Sequence, residues 1–170
     1  MPFEFEELGL GVLLIKPKVF ADERGFFMEL FKSSDFARAG IPAPVQANVS
    51  FSRRGVVRGM HFQVPPKEQG KVVTVVKGRI LDVALDVREG SHTYGKYVSV
   101  ELSEENRYML WIPPGLAHGF QALEDSLVVY FVTHNEYSPE YEDCVHYSVV
   151  KWPIKEVIVS EKDMRCRRLE

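Results

Sequence analysis

Apolar and polar residues alternate along two adjacent stretches near the middle of the chain. An apolar run covers residues 71–76 and stops at Lys77-Gly78, and strict alternation then resumes over residues 79–87. A repeat of two residues is typical of β-strands, because successive side chains point to opposite faces of a sheet. We therefore predict a β-hairpin that turns at Lys77-Gly78. Its second strand should place one face on a core, formed by Leu81, Val83, Leu85 and Val87, with Asp82, Ala84 and Asp86 on the other face.

Short strand-like runs recur along the rest of the chain, separated by polar turn sequences. We predict further strands over residues 95–102, 109–112, 127–133 and 145–149. The N-terminal third has two more such runs, residues 12–15 and the Phe-rich 25–31, which would form an extra sheet or reach onto a second subunit. Helical patterns are confined to residues 33–40 and a short turn at 160–163. Many short strands with few helices predict an all-β sandwich or barrel.

The composition limits what kind of protein this is. At 170 residues the chain is expected to form one domain, residues 1–170, with its own hydrophobic core. A formal net charge of −3 argues against a nucleic-acid partner, which would require a basic excess. The acidic N-terminus is unlike a signal peptide and no apolar run is long enough to span a membrane, so we expect a cytoplasmic protein with no membrane partner. Cys144 and Cys166 show no CxxC spacing and are predicted to be free thiols.

Candidate chemistry is concentrated in three motifs that lie beside short β-type runs. They are Arg58-Gly59-Met60-His61-Phe62-Gln63, Gln69-Gly70-Lys71 and Pro113-Pro114-Gly115-Leu116-Ala117-His118. Small barrels line internal pockets with side chains from such strands. Histidine changes its charge between about pH 5 and pH 8, and here two histidines occur near cationic side chains. The combination predicts proton transfer on an anionic substrate.

These motifs resemble those of the dTDP-4-dehydrorhamnose 3,5-epimerase family, within the cupin superfamily. The resemblance extends over nearly the whole chain and includes residues 20–29, 46–50, 57–63, 69–71, 111–120, Tyr130 and Lys162-Asp163. It implies an all-β, cupin-like jelly-roll barrel with an N-terminal strand extension and a few short helices. It also implies a homodimer that exchanges N-terminal strands. We expect no cofactor, neither a metal nor a nicotinamide, because no GxGxxG follows a strand and the HxH half of a cupin metal motif is absent.

The activity implied by the resemblance is inversion of C3 and C5 of dTDP-4-keto-6-deoxy-D-glucose, which gives dTDP-4-keto-L-rhamnose. Each inversion removes a proton beside the C4 ketone and returns one to the opposite face, so it needs a base and an acid on opposing sides. His61 matches the family's base, and Asp163 matches the carboxylate that orients it. Tyr130 matches the proton donor. Lys71 is the candidate to stabilise negative charge on the ketone oxygen.

Other positions match family residues that hold the sugar nucleotide. Arginine suits a pyrophosphate because its guanidinium donates paired hydrogen bonds. Arg24 and Glu29 would serve the pocket of a neighbouring subunit if N-terminal strands are exchanged, and Phe20 or Phe27 would stack on thymine. The substrate-binding candidates are Phe20, Arg24, Phe27, Glu29, Gln46, Asn48, Arg58, His118, Glu142 and Lys162.

Three other interpretations stay open from the residues alone. A metal-dependent cupin would use His61, Glu68 and His118, although the second histidine of the usual HxH motif is absent. A barrel that binds sugar nucleotides without turnover would have the same cations but no need of an acid and a base. Related enzymes invert only C3 or only C5, or isomerise the ketone, and this depends on pocket shape. The sequence also leaves open whether Lys71 and Tyr130 point into the pocket.

Overall fold

The structure is a computed structural model that describes residues 2–169, and about half of these residues lie in antiparallel β-strands. The strands are β1 (Phe3–Gly9), β2 (Val12–Pro17), β3 (Val19–Asp22), β4 (Gly25–Met28), β5 (Gln46–Ser52), β6 (Val57–Gln63), β7 (Gly70–Lys77), β8 (Arg79–Asp86), β9 (Tyr97–Ser103), β10 (Met109–Ile112), β11 (Leu116–Ala122), β12 (Ser126–Thr133) and β13 (Glu142–Cys144). The helices are α1 (Ser33–Arg38), α2 (Glu161–Met164) and single 3-10 turns at Pro139–Tyr141 and Tyr147–Val149. None of the helices in the described part is long and apolar enough to cross a membrane.

Two sheets enclose the main core. One has six strands in the order β1-β2-β10-β7-β12-β5, and the other has five in the order β13-β6-β11-β8-β9. β3 and β4 form a separate two-stranded sheet, as the N-terminal pattern allowed. Apolar side chains from both large sheets meet in the interior, among them Val73 and Val75 from β7 and Ile80 and Ala84 from β8. The all-β architecture predicted from the sequence is confirmed. Burial of the strand faces that meet in this interior stabilises the arrangement.

The turn at Lys77-Gly78 is a corner between the sheets, so the predicted hairpin is wrong. β7 pairs with β10 and β12 in the six-stranded sheet, whereas β8 pairs with β11 and β9 in the other. Gly78 has a φ of +91°, and a Cβ there would lie 2.4 Å from the carbonyl oxygen of Asp125. Only glycine fits this corner. Alternation identified both strands but did not reveal the partners of either one.

The alternation predicted for β8 is present, but both of its faces are covered. Val83 and Leu85 pack in a second apolar cluster against the C-terminal segment, which contributes Val145, Val150 and Trp152. Asp82 on the opposite face is fully buried inside the barrel. The expectation of a single buried face is therefore wrong for this strand. A carboxylate buried between apolar neighbours needs a hydrogen-bonding partner, and the partner of Asp82 is described with the site below.

The predicted strand over residues 145–149 is also wrong. Val145 makes a single parallel bridge with Arg167, after which the chain turns at Tyr147–Val149. The His146 side chain accepts a hydrogen bond from the Ser148 N–H, which favours a turn over an extended strand. The remaining predicted elements are confirmed within a few residues at each end, while β1, β3, β5, β6, β11 and β13 were not predicted as strands.

Cys144 and Cys166 form a disulfide, which corrects the prediction of free thiols. Their Cα atoms lie 5.4 Å apart although the residues are 22 positions apart in the sequence. The pair has no short-range motif, because the C-terminal segment reaches β13 only in the folded chain. Disulfides also persist in the cells of some hyperthermophiles, so the bond does not by itself decide the compartment.

Candidate active site

Two adjoining cavities open between the sheets, with volumes of about 390 Å³ and 300 Å³. Both are lined by His61, Lys71 and Tyr130. His61 lies on β6 of the five-stranded sheet, whereas Lys71 and Tyr130 lie on β7 and β12 of the six-stranded sheet. The sequence left open whether Lys71 and Tyr130 point into the pocket, and in the structure both residues line the cavities.

His61 is held by a carboxylate far away in the sequence. Its Nε2 lies 2.6 Å from Oδ1 of Asp163, which is 102 residues away in sequence and 4% exposed. The Gly59 N–H donates to the other oxygen of Asp163 at 3.1 Å, and the Ser160 side chain caps the first turn of α2. Burial by itself would raise the pKa of Asp163, but hydrogen bonding and attraction from His61 lower it below its usual value. An ionised Asp163 fixes the imidazole and leaves Nδ1 as the nitrogen free to accept a proton.

Lys71 and Tyr130 are neighbours on the opposite wall. Nζ of Lys71 lies 5.6 Å from the centroid of the Tyr130 ring. Burial lowers the pKa of Lys71 to about 8, against attraction to Asp82 and Glu142. The ammonium is therefore mostly protonated at pH 7 and placed where negative charge on a bound molecule would be stabilised.

A second histidine and carboxylate pair lies beside the first. His118 on β11 is opposite His61 in the strand register, and its Nε2 lies 2.6 Å from Oδ1 of Asp82. Burial lowers the pKa of His118, although Asp82 acts in the opposite direction. His118 is therefore neutral at pH 7 and donates to Asp82. Sequence reasoning did not identify Asp82 as a site residue. Its position, an aspartate in the middle of an apolar β-strand, could have indicated it.

Polar side chains from several elements surround these groups. Gln46 and Asn48 on β5 line the larger cavity and hydrogen-bond to each other at 3.1 Å. Glu142 on β13 lines it too and accepts a hydrogen bond from Lys162 of α2. Arg58 lines the smaller cavity, where its Nε donates to Oγ of the Ser52 side chain at 2.8 Å.

The lining residues that were not predicted as site residues include Tyr137 and Ser50. Tyr137 reaches the larger cavity and donates to Glu142 at 3.3 Å. Ser50 lines the smaller cavity, and its buried hydroxyl has no hydrogen-bond partner among residues 2–169. Tyr137 lies outside the motifs that resemble the family. Ser50 ends the stretch 46–50, where alternation with Gln46 and Asn48 along one strand face could have indicated it.

Four predicted binding residues do not line either cavity of their own chain. Phe20, Arg24 and Phe27 belong to the hairpin of β3 and β4, and Glu29 follows it. The Phe27 side chain is 65% exposed, and Arg24 forms an exposed ion pair with Asp22 at 2.6 Å. A single subunit therefore does not bring these four residues to the site.

The ligand set proposed for a metal is not assembled. In the described part of the chain no three histidine, cysteine or acidic side chains lie close enough to hold an ion. Nε2 of His61 and of His118 each contacts a different aspartate, while Glu68 lines a separate cavity beside Arg88. Nε2 of each histidine is thus already paired with an aspartate, and Glu68 lines a different cavity from them.

An oriented imidazole, a phenol and an ammonium line the same cavities of this all-β barrel. Such a set of groups is typical of an enzyme that transfers protons. Comparison with known proteins identifies the family of enzymes. The sequence model described as dTDP-4-dehydrorhamnose 3,5-epimerase matches residues 9–170, and the chain belongs to this family. It is an enzyme with the family's cupin-like jelly-roll fold, an isomerase that acts on carbohydrate.

Relatives match over nearly the whole chain. The crystal structure of dTDP-4-dehydrorhamnose 3,5-epimerase from Sulfolobus tokodaii is 68% identical, with a TM-score of 0.98 over 99% of this chain and 96% of that one. The enzyme of the same name from Methanothermobacter thermautotrophicus is 43% identical over 98% of this chain and 95% of its own. The epimerase from Legionella pneumophila Philadelphia 1, solved in complex with dTDP-4-keto-L-rhamnose, is 39% identical, with a TM-score of 0.92 over 98% and 92% of the two chains.

Proposed function

We propose that the protein inverts C3 and C5 of dTDP-4-keto-6-deoxy-D-glucose and so forms dTDP-4-keto-L-rhamnose. One observation carries the proposal: an oriented imidazole on one sheet and a phenol on the other line the same cavities. Inversion at carbon requires proton removal and delivery on opposite faces, and His61 and Tyr130 provide groups on opposite walls. Membership of the epimerase family supports the same reaction.

The roles follow from the positions of the groups. His61 removes the proton next to the ketone, and Asp163 orients the ring and stabilises the imidazolium that forms. Lys71 donates to the ketone oxygen as negative charge develops there, a contribution of about 3 kcal/mol by analogy with single oxyanion donors. Tyr130 then delivers a proton to the opposite face, since a phenol keeps its proton at neutral pH.

The remaining lining residues hold the substrate. Arg58 and Lys162 present cations to the smaller cavity, where they would bind the phosphates. Gln46, Asn48 and Glu142 offer hydrogen-bonding groups in the larger cavity. His118, neutral and fixed by Asp82, is a hydrogen-bonding partner for the sugar.

We also propose a homodimer in which the β3 and β4 hairpin completes the partner's site. The hairpin side chains Phe20 and Phe27 are exposed in the single chain, where large aromatic groups are costly unless covered. Val49 and Phe51 on the edge strand β5 are exposed as well, which extends the apolar surface. In the dimer Arg24 and Glu29 would contact the partner's nucleotide, and one of the two phenylalanines would stack on thymine.

The cytoplasm is the compartment that fits the proposed substrate. A dTDP-sugar carries charged phosphates and does not cross a bilayer unaided. The enzyme is therefore expected in the same compartment as the nucleotide sugar on which it acts.

The proposal is tested by incubating the protein with dTDP-4-keto-6-deoxy-D-glucose in heavy water and following the sugar by NMR. We expect deuterium at both C3 and C5 and an L-configured product. Inversion at C3 or at C5 alone would identify a single-position epimerase. Binding without exchange would contradict catalysis and favour a binding protein.

A further inference from the structure

The disulfide joins the two segments that carry the proposed catalytic pair. Cys144 is the last residue of β13, where it lies opposite His61 of β6 in the strand register. Cys166 follows α2, and its N–H donates to the Asp163 carbonyl oxygen at 3.2 Å. The covalent bond therefore runs from the strand position facing the base to the turn that contains the carboxylate.

The turn is short, and non-covalent contacts hold its two flanks: Ile158 forms a bridge with Val56, and Arg167 forms one with Val145. α2 has only four residues, far below the length at which a helix is stable by itself. Arg167 pairs with Asp143 at 3.1 Å and Lys162 pairs with Glu142, but both cations are more than half exposed, and such ion pairs contribute little. Asp163 is buried, and burial opposes its charged form. The hydrogen bonds with His61 and Gly59 outweigh that cost only while Asp163 keeps its place, so the charged carboxylate depends on the position of this turn.

We propose that the Cys144–Cys166 disulfide is a positioning element that holds Asp163 against His61, so that opening it lowers turnover through this pair. The inference rests on the proposed function, in which His61 is the base. Misplacement of a catalytic group by about 1 Å can cost roughly 10²-fold in rate. A turn that loses the disulfide but keeps the Ser160 cap and its flanking bridges should be displaced less, with a cost of about tenfold.

The first test is a double-mutant cycle on kcat. Wild type and Asp163→Asn are each compared with versions carrying Cys144→Ser and Cys166→Ser, with circular dichroism to verify the fold. If the disulfide acts through Asp163, its loss should lower kcat about tenfold in wild type and less than about twofold in Asp163→Asn. Equal losses in both backgrounds would show a general structural role and overturn the proposal, as would no loss in either one.

Two controls distinguish the effect of the disulfide on turnover from the effects of the serine substitutions and of the neighbouring ion pair. Tris(2-carboxyethyl)phosphine reduces the disulfide with two electrons to two thiols and becomes the phosphine oxide by taking oxygen from water. It should reproduce the loss in wild type and leave the double serine variant unchanged. Asp143→Asn, which breaks the exposed ion pair between the same segments, should keep wild-type turnover.

The second test does not depend on turnover. The proton shared by His61 and Asp163 should give a downfield NMR resonance that is absent in Asp163→Asn. We expect this resonance in the oxidised protein and its loss after reduction. Its persistence in the reduced protein would overturn the proposal whatever the activity. An oxidised protein that shows the resonance, loses it on reduction and has no epimerase activity would instead contradict the proposed function alone.

Discussion

His61 and His118 lie opposite each other on neighbouring strands, and each contacts a different buried carboxylate through Nε2 at 2.6 Å. The two pairs differ in their surroundings. Asp82 is fully buried beneath His118, whereas the side chain of His61 is 28% exposed to the cavity. The cavity-exposed imidazole can exchange a proton with a ligand, while the buried one is kept neutral by burial and serves as a fixed hydrogen-bonding group.

The His61 imidazole should be essential for turnover and dispensable for binding. We expect His61→Ala to lower kcat by about 10² to 10⁴, the usual contribution of a positioned base, with dTDP affinity near wild type. Steady-state kinetics and calorimetric titration with dTDP would measure the two effects. A variant that kept more than half of the wild-type rate would contradict the assignment.

The ammonium of Lys71 should set an upper pH limit on activity. Burial lowers its pKa to about 8, so the charge is present below pH 8 and is lost as the pH rises above it. We expect kcat to decline above about pH 8 in wild type. Lys71→Arg keeps a cation at higher pH and should move the decline upward, whereas Lys71→Met should be slow at every pH. A pH profile of Lys71→Met with the wild-type decline would assign that limb to another group.

Arg24 offers a direct test of sites shared between subunits. A mixed dimer of Arg24→Ala and His61→Ala chains would contain one intact site if Arg24 acts in the partner's cavity. Equal mixing, refolding and assay should then restore about a quarter of wild-type activity, because half of the dimers are mixed and half of their sites are intact. No recovery above the two single variants would place Arg24 in its own chain's site or outside any site.

Removal of metal ions should leave the enzyme active. The two histidines that a metal would use already contact Asp163 and Asp82, and Glu68 lines another cavity. We expect full activity after exhaustive dialysis against a chelator, with metal content checked by mass spectrometry. A loss of activity that one particular divalent ion restored would favour the metal-dependent alternative.

Local sequence patterns predicted the strands better than their partners. Alternation placed β8 correctly and even put Asp82 on the face that turned out to be the barrel interior, but it could not show that Gly78 changes sheets. The pairing of His61 with Asp163 was expected only from the family resemblance, because no local rule joins residues 102 positions apart. The prediction of free thiols was wrong for the same reason, since Cys166 reaches Cys144 only after the C-terminal segment has folded over β6 and β13.

The phenol of Tyr130 should be needed for inversion more than for proton removal. In Tyr130→Phe the imidazole of His61 still has access to the substrate from the other wall, so abstraction and return of a proton on the same face can continue. Phe keeps the packing volume on β12, and Tyr130 makes no side-chain hydrogen bond to the protein within residues 2–169, so the fold should be unaffected. We expect deuterium from heavy water to enter the substrate without inversion, which raises the ratio of exchange to epimerisation well above wild type. If exchange and epimerisation fell together while Lys71 stayed intact, formation of the enolate itself would depend on the hydroxyl, and the delivery of the second proton would need another acid.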